Sequence, residues 1–164
     1  MSLFTPLNLG ALELPNRMVM APLTRMRSGV DGIPGALNIE HYRQRATLGL
    51  IVSEGVYPDQ AGQGFPGQPG LVTDQQIDGW AKVADAVHAA GGRIVAQVMH
   101  AGRVTHPETN GGLEVVAPSA IAIQGESHTY KGKLPYPVPR ALGLDDLPGI
   151  IAGSRNSVAD RTVC

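Results

Sequence analysis

The sequence predicts an α/β fold built on a parallel sheet. Three observations carry that reading. Short apolar runs recur at residues 17–22, 49–55 and 93–100, and continuous runs of this length suit strands buried on both faces, as in parallel sheets. Segments with helical spacing lie between them, and alternating strands and helices indicate a parallel α/β architecture. Glycine (21) and proline (13) cluster between the apolar runs without a repeat period, the mark of an ordered fold with shaped loops.

The elements follow in order. Pro6-Leu7-Asn8-Leu9-Gly10 and Leu12-Glu13-Leu14-Pro15 read as two short strands around a turn at Gly10-Ala11, a hairpin expected to cap the N-terminal end of the sheet. The first buried strand spans 17–22 and is stopped by Pro22. A helix is expected over 36–47, with Leu37, Ile39, Tyr42 and Ala46 on its apolar face. The second strand spans 49–55, and the Gly/Pro-rich stretch 56–70 reads as a loop. Thr73-Asp74-Gln75-Gln76 offers a capping box for a helix over 74–90. Ile77, Trp80, Ala84 and Val87 form its core-facing stripe, and Gly91-Gly92 end it. The third strand spans 93–100. Residues 101–145 hold no long periodic segment, only possible extended pieces at 115–118 and 121–123, and a stretch this long favours a functional excursion over a connector. Residues 144–159 could start another helix. Three strand–helix units are too few for a closed eight-stranded barrel, which takes about 250 residues. The pattern therefore fits a small open sheet, or part of a barrel.

Composition bounds the function. At 164 residues the chain is one domain's worth. Leu, Ile, Val and Phe number 41, enough to rule out the composition of a disordered chain. A formal net charge of −1, with no basic run, argues against nucleic acid or an anionic membrane as partner. No apolar stretch approaches a membrane span and the first residues lack the pattern of a signal peptide. The single cysteine, Cys164, excludes an internal disulfide or a cysteine metal cluster. A cytoplasmic protein without a structural metal is expected. His100 and His106 lack accompanying cysteines or well-spaced carboxylates for zinc.

In parallel α/β folds the site lies at the C-terminal strand ends. There stand Thr24 after the first strand, Ser53-Glu54-Gly55 closing the second, and Gln97 near the end of the third. A hydroxyl, a glycine and a carboxamide suit a planar, neutral, hydrogen-bonding ligand such as the pyrimidine edge of a flavin, although spacing alone does not demand one. Glu54 is expected to be salt-bridged, Trp80 to be core, and His100 to bond locally.

The run Asn16-Arg17-Met18-Val19-Met20-Ala21-Pro22-Leu23-Thr24-Arg25-Met26-Arg27 resembles the first-strand signature of the Old Yellow Enzyme family of FMN-dependent ene-reductases. In register with it, His41-Tyr42-Arg43-Gln44-Arg45-Ala46 is similar to the family's first helix, Gly49-Leu50-Ile51-Val52-Ser53-Glu54-Gly55 resembles its second strand, and Gln97-Val98-Met99-His100-Ala101-Gly102-Arg103-Val104 and Pro139-Arg140-Ala141-Leu142 resemble its third strand and the excursion after it. The resemblance runs over about residues 3–159. It implies the N-terminal part of a (β/α)8 barrel with an N-terminal hairpin, binding FMN and using NAD(P)H to reduce activated C=C bonds of small molecules. It implies that the backbone of Ala21, Pro22 and Leu23 lies along the flavin. Thr24 donates toward the flavin C4 carbonyl, Gly55 lets the ring approach, and Gln97 binds its pyrimidine edge. Met26 and Met99 fall in the substrate pocket, with Met99 where some members carry Trp.

The family's fourth-strand His/Asn pair, its tyrosine proton donor and its phosphate-binding loops have no counterpart in this sequence, so no catalytic residue is assigned. Residues 160–164 depart from the family pattern and read as the tail of a truncated copy. Alternatives are a non-catalytic fragment or pseudoenzyme that retains no flavin, and a small open-sheet binding domain. An unpaired sheet edge would favour homo-oligomers or association.

Overall fold

The computed structural model of the protein describes residues 2–159. The hairpin forms as expected: β1 (Leu7–Leu9) and β2 (Leu12–Leu14) pair antiparallel, with Gly10 at φ +59° in the turn. Leu14 is buried, and the hairpin shares a cavity with Arg93, the residue that enters the third sheet strand. The hairpin thus sits at the N-terminal end of the sheet.

The sheet itself has the order β3 (Val19–Met20), β4 (Leu50–Val56), β5 (Ile94–Val98), and both pairings are parallel. Asn16 clasps its N-terminal edge. Its Oδ1 accepts from Met18 N (3.1 Å) and Gly49 N (2.8 Å), and its Nδ2 donates to Thr47 O (2.9 Å).

Two helices cover one face, α1 (Ala36–Arg43) and α2 (Asp74–Ala89). Tyr42, Ala46, Trp80, Val83, Ala84 and Val87 from this layer meet Ile51, Val56 and Ile94 from the sheet in one core. Trp80 lies in it as expected, its ring centroid 5.9 Å from that of Tyr42. The capping box at Thr73 is formed: Gln76 N donates to Thr73 Oγ1 (3.2 Å), and Thr73 N donates to Gln76 Oε1 (3.2 Å). Gly91, at φ +80°, and Gly92 close α2 with bonds to His88 O and Val87 O, the two bonds of a Schellman motif.

Four expectations are corrected. First, the strand at 17–22 shrinks to two residues, and Val19 is 51% exposed. Second, the strand at 93–100 is deeply buried only at Ile94; Ala96 is exposed and so is Val98, at 38%. The physical reason is the same for both: an apolar run records what a strand can bury, and the neighbouring layer leaves Val19, Ala96 and Val98 exposed. Third, the helix at 36–47 ends at Arg43. Beyond it Arg45, Ala46 and Leu48 donate to the carbonyls three residues back, a tightening that turns the chain toward Gly49. Leu37, expected on the apolar face, is exposed. Fourth, 56–70 is a folded unit rather than an open loop. It holds a 3-10 turn at Gln60–Gly62, a bridge between Tyr57 and Gly70, and the fully buried carboxamides of Gln63 and Gln68.

The excursion 101–145 is also structured. It contains the short α3 (Pro107–Asn110), a parallel pair β6 (Val116–Ala117) with β9 (Arg140–Ala141), and an antiparallel hairpin β7 (Glu126–Thr129) with β8 (Gly132–Pro135). The extended piece expected at 115–118 contains β6, while 121–123 pairs with nothing described. A 3-10 turn at Leu144–Asp146 leads into α4 (Leu147–Ala159). No described helix is long and apolar enough to cross a membrane. Residues 160–164, including Cys164, lie outside the described residues.

Candidate active site at the strand ends

The centre of the site is a bulge in β4. Val52 pairs with Val95, but Gly55 pairs with Gln97, so β4 spends one more residue than β5 over this stretch. Bulges re-aim side chains and often lie beside functional sites. Side chains fill the gap left in the ladder: Gln97 N donates to Ser53 Oγ (3.1 Å), and Glu54 N donates to the Tyr42 hydroxyl (2.8 Å). The result is that Ser53, Glu54 and Gly55 are all buried, and that Gly55 faces Gln97.

Gly55 is surrounded. A Cβ added there would stand 2.7 Å from Met99 Cε, 3.1 Å from Met99 Sδ and 3.5 Å from Gln97 Oε1. Gly55, Gln97 and Met99 therefore form one cluster. Met99 is anchored through its own N–H to Val56 O (2.9 Å). The Gln97 side chain is half-buried and its carboxamide bonds to no described residue. Beneath the cluster Gln68 donates to Gly55 O (2.9 Å) while its Oε1 accepts from Gly64 N (2.9 Å).

Ala21, Pro22 and Leu23 follow β3 as irregular chain, with Leu23 55% exposed. Thr24 comes next, half-buried, and its hydroxyl bonds to no described residue. The Arg25 backbone N–H then donates to Glu54 Oε2 (2.9 Å), which brings the loop back to the C-terminal half of β4 one residue from Thr24. Met26 takes a left-handed backbone at φ +53°, and its backbone packs against Gly67 in the unit after β4. The structure thus joins Met99 to Gly55 and Gln97, and sets Met26 against a different segment.

Glu54 is not salt-bridged. Its carboxylate accepts from Arg25 N, from the Tyr42 hydroxyl (3.2 Å) and from Asn38 Nδ2 (3.3 Å), and no described ion pair includes it. Burial raises its pKa above the ordinary carboxylate value, against those hydrogen bonds and the charge of Arg25. In place of the expected cation, three neutral donors fill its lone pairs, and burial outweighs their pull toward the ionised form. This network has no signal in the local sequence, since its members come from positions 25, 38, 42 and 54.

His100 bonds locally, its Nδ1 accepting from Gly102 N (3.0 Å), and burial lowers its pKa. The excursion closes over the same end of the sheet: the Tyr130 hydroxyl accepts from Gly67 N (3.0 Å) and Gln63 Nε2 (3.4 Å). Among the described residues no cluster of three or more His, Cys, Asp or Glu could hold a metal.

Comparison with known proteins gives a consistent result. The sequence profile described as the NADH:flavin oxidoreductase / NADH oxidase family matches residues 2–152. A flavin oxidoreductase, hxnT, of Emericella nidulans is 44% identical over 91% of this chain and 39% of its own length. A probable flavin mononucleotide-dependent alkene reductase of Leishmania infantum is 39% identical over 94% of this chain and 45% of its own. Among solved structures, the old yellow enzyme homologue from Zymomonas mobilis superposes with a TM-score of 0.92 at 44% identity, covering 96% of this chain and 44% of that one. The chain spans less than half the length of these relatives.

Proposed function

The chain belongs to the NADH:flavin oxidoreductase / NADH oxidase family, whose solved relatives are (β/α)8 barrels and whose N-terminal part it matches, and we propose that its strand ends form the ring-facing part of an FMN site. The observation that carries this reading is the pairing of Gly55 with Gln97, whose carboxamide bonds to no described residue. A half-buried carboxamide and a half-buried hydroxyl, neither bonded to a described residue, are left able to bond a ligand. Both fit a flat ring edged with C=O and N–H groups, and a residue lacking Cβ lets such a ring approach the backbone.

In this reading the Thr24 hydroxyl donates toward the C4 carbonyl and Gln97 offers its acceptor and donors to the pyrimidine edge. The backbone of Ala21, Pro22 and Leu23 runs along the ring. A bound FMN would supply the hydride chemistry between NAD(P)H and an activated small-molecule alkene. The residues named here bind and orient, and Thr24 tunes the potential by favouring the electron-rich reduced ring. The proposed compartment is the cytoplasm.

FMN titration of the purified chain, followed by visible flavin absorbance, tests the site. Gln97→Ala is expected to weaken binding by about 0.5–1.5 kcal/mol, the net worth of a hydrogen bond. Binding equal to wild type in that variant would overturn the assignment. A second reading, favoured by exposed Val19, Leu23 and Val98 on β3, its following loop and β5, is a chain that retains no flavin and turns over no alkene alone. Absence of any flavin band at saturating FMN would select it.

A further inference from the structure

Glu54 is fully buried, stands next to Gly55, and has no part in the binding roles given above. Its carboxylate is held from two directions. Asn38 and Tyr42 of α1 bond Oε1, and the Arg25 backbone N–H bonds Oε2. The second of these is unusual in what it supports. β3 ends at Met20, and the next backbone bond to another segment is that of Ser28 N to Gly67 O. Over residues 21–27, among the described residues, the Arg25–Glu54 bond is the one hydrogen bond that ties the loop's backbone to a distant segment. The Arg25 N–H belongs to the planar peptide unit that also contains the Cα of Thr24. Fixing that N–H fixes the plane from which the Thr24 side chain departs.

We propose that Glu54 is a positioning residue for Thr24: its buried carboxylate, braced by Asn38 and Tyr42, holds the Arg25 N–H and thereby aims the Thr24 hydroxyl at the flavin. This rests on the assignment of Thr24 to the flavin ring. A hydroxyl on an untethered loop loses bonding strength through disorder, because the entropy of ordering it falls due at binding. The fold meets that cost in advance by spending a buried carboxylate on a loop amide. α1, the β3 loop and β4 are thereby locked to one another at one atom pair.

The test begins without flavin. Amide hydrogen exchange of the labelled chain should show Arg25 protected in the wild type. In Glu54→Gln one oxygen cannot serve both sides of the network, so Arg25 exchange should accelerate by about tenfold or more, the loss of a bond to a charged acceptor. Glu54→Asp, which keeps the charge but draws the oxygen back by one methylene, should show the same acceleration, and decides the matter if Glu54→Gln does not fold. Val83→Ala, a core cavity remote from the loop, should lower the melting temperature while Arg25 remains slow relative to its neighbours in β4.

FMN titrations then follow. The Glu54 variants should bind several-fold more weakly and shift the flavin potential in the same direction as Thr24→Ala. The double variant should shift no further. Wild-type Arg25 exchange in the Glu54 variants would overturn the proposal whatever the flavin does. So would accelerated exchange with flavin binding and potential unchanged while Thr24→Ala alters them. If Thr24→Ala itself changes neither, the assignment of Thr24 to the ring fails, and the positioning role falls with it.

Discussion

Gly55 and Gln97 face each other across the parallel ladder of β4 and β5, and Met99 reaches over Gly55 so that its methyl lies 2.7 Å from where a Cβ would stand. The three residues define how closely anything flat can approach β4. The obstructing atom is the far end of a flexible side chain, and Gly55 needs no left-handed backbone, since none of the positive-φ glycines is Gly55. Gly55→Ala should therefore leave stability within about 1 kcal/mol of wild type, the strand gain of Ala over Gly offsetting displacement of Met99. Gly55→Val should weaken FMN binding far more than it lowers the melting temperature, and Met99→Ala should not restore it. Equal FMN affinity in wild type and Gly55→Val would place the ring elsewhere.

The sheet's N-terminal clasp should be costly to open. Asn16→Ala removes the acceptor of Met18 N and Gly49 N and the donor to Thr47 O in one step. Leaving buried amides unsatisfied costs about 1–3 kcal/mol each, so a urea melt should show a loss of about 2–4 kcal/mol. A loss below about 0.5 kcal/mol, the level of an ordinary surface change, would mean that water replaces the side chain at no penalty.

Gln76 should matter more than the cap it completes. Its Oε1 accepts from Val72 N (2.8 Å) and Thr73 N (3.2 Å), and its Nε2 donates to Asp31 O (2.7 Å) and the Tyr57 hydroxyl (3.0 Å). Burial pushes the Tyr57 phenol up to about 12 despite the bond from Gln76. Thr73→Ala should cost about 1 kcal/mol, as N-cap losses do. Gln76→Leu, which strands four partners, should cost at least twice that in the same melt. The reverse order would show that capping, and not the link to Asp31 and Tyr57, sets the value of this residue.

The pH dependence of stability carries a sign that isolates Glu54. Burial raises its pKa, so the folded protein holds that proton more tightly than the unfolded chain. Its share of stability is fully present at low pH and is lost as pH rises above the ordinary value of 4.5 and through the raised folded one. His41 and His100 oppose this: burial lowers both, so stability falls as pH drops below their ordinary 6.5. The stability of wild type minus that of Glu54→Gln should therefore shrink as the pH rises above 4.5, whereas each protein alone shows the mixture. A difference that stays constant or grows would contradict the raised pKa.

Exposed apolar positions on β5 and around β3 predict association. Val19 and Val98 lie on the two outer strands of the three-stranded sheet and Leu23 in the loop after β3, all exposed. Unpaired sheet edges are templates for pairing. Sedimentation of the purified chain should show concentration-dependent oligomers, reduced by Val98→Lys. A monodisperse monomer across a wide concentration range would show that these strands are protected by other means.

The local pattern determined a good deal on its own. The hairpin turn at Gly10, the alternation of strands and helices, the cap at Thr73, the closure of α2 at Gly91-Gly92 and the burial of Trp80 follow from turn chemistry and helical periodicity, which are properties of neighbouring residues. The run of matching motifs likewise indicated the family before any coordinate. Tertiary structure decided what depends on distant partners. The apolar runs at 17–22 and 93–100 could not tell which of their faces would be covered, because burial belongs to the neighbouring layer and not to the run. The bulge that turns Gly55 toward Gln97 arises because the Ser53 and Tyr42 hydroxyls accept the amide bonds the ladder gives up. In the excursion, β6 finds its partner β9 across the intervening β7–β8 hairpin, a pairing with no local periodicity to betray it. Glu54 gained a loop amide, a phenol and a carboxamide in place of the expected cation. Those three donors reach it only once α1 and the β3 loop have folded over β4.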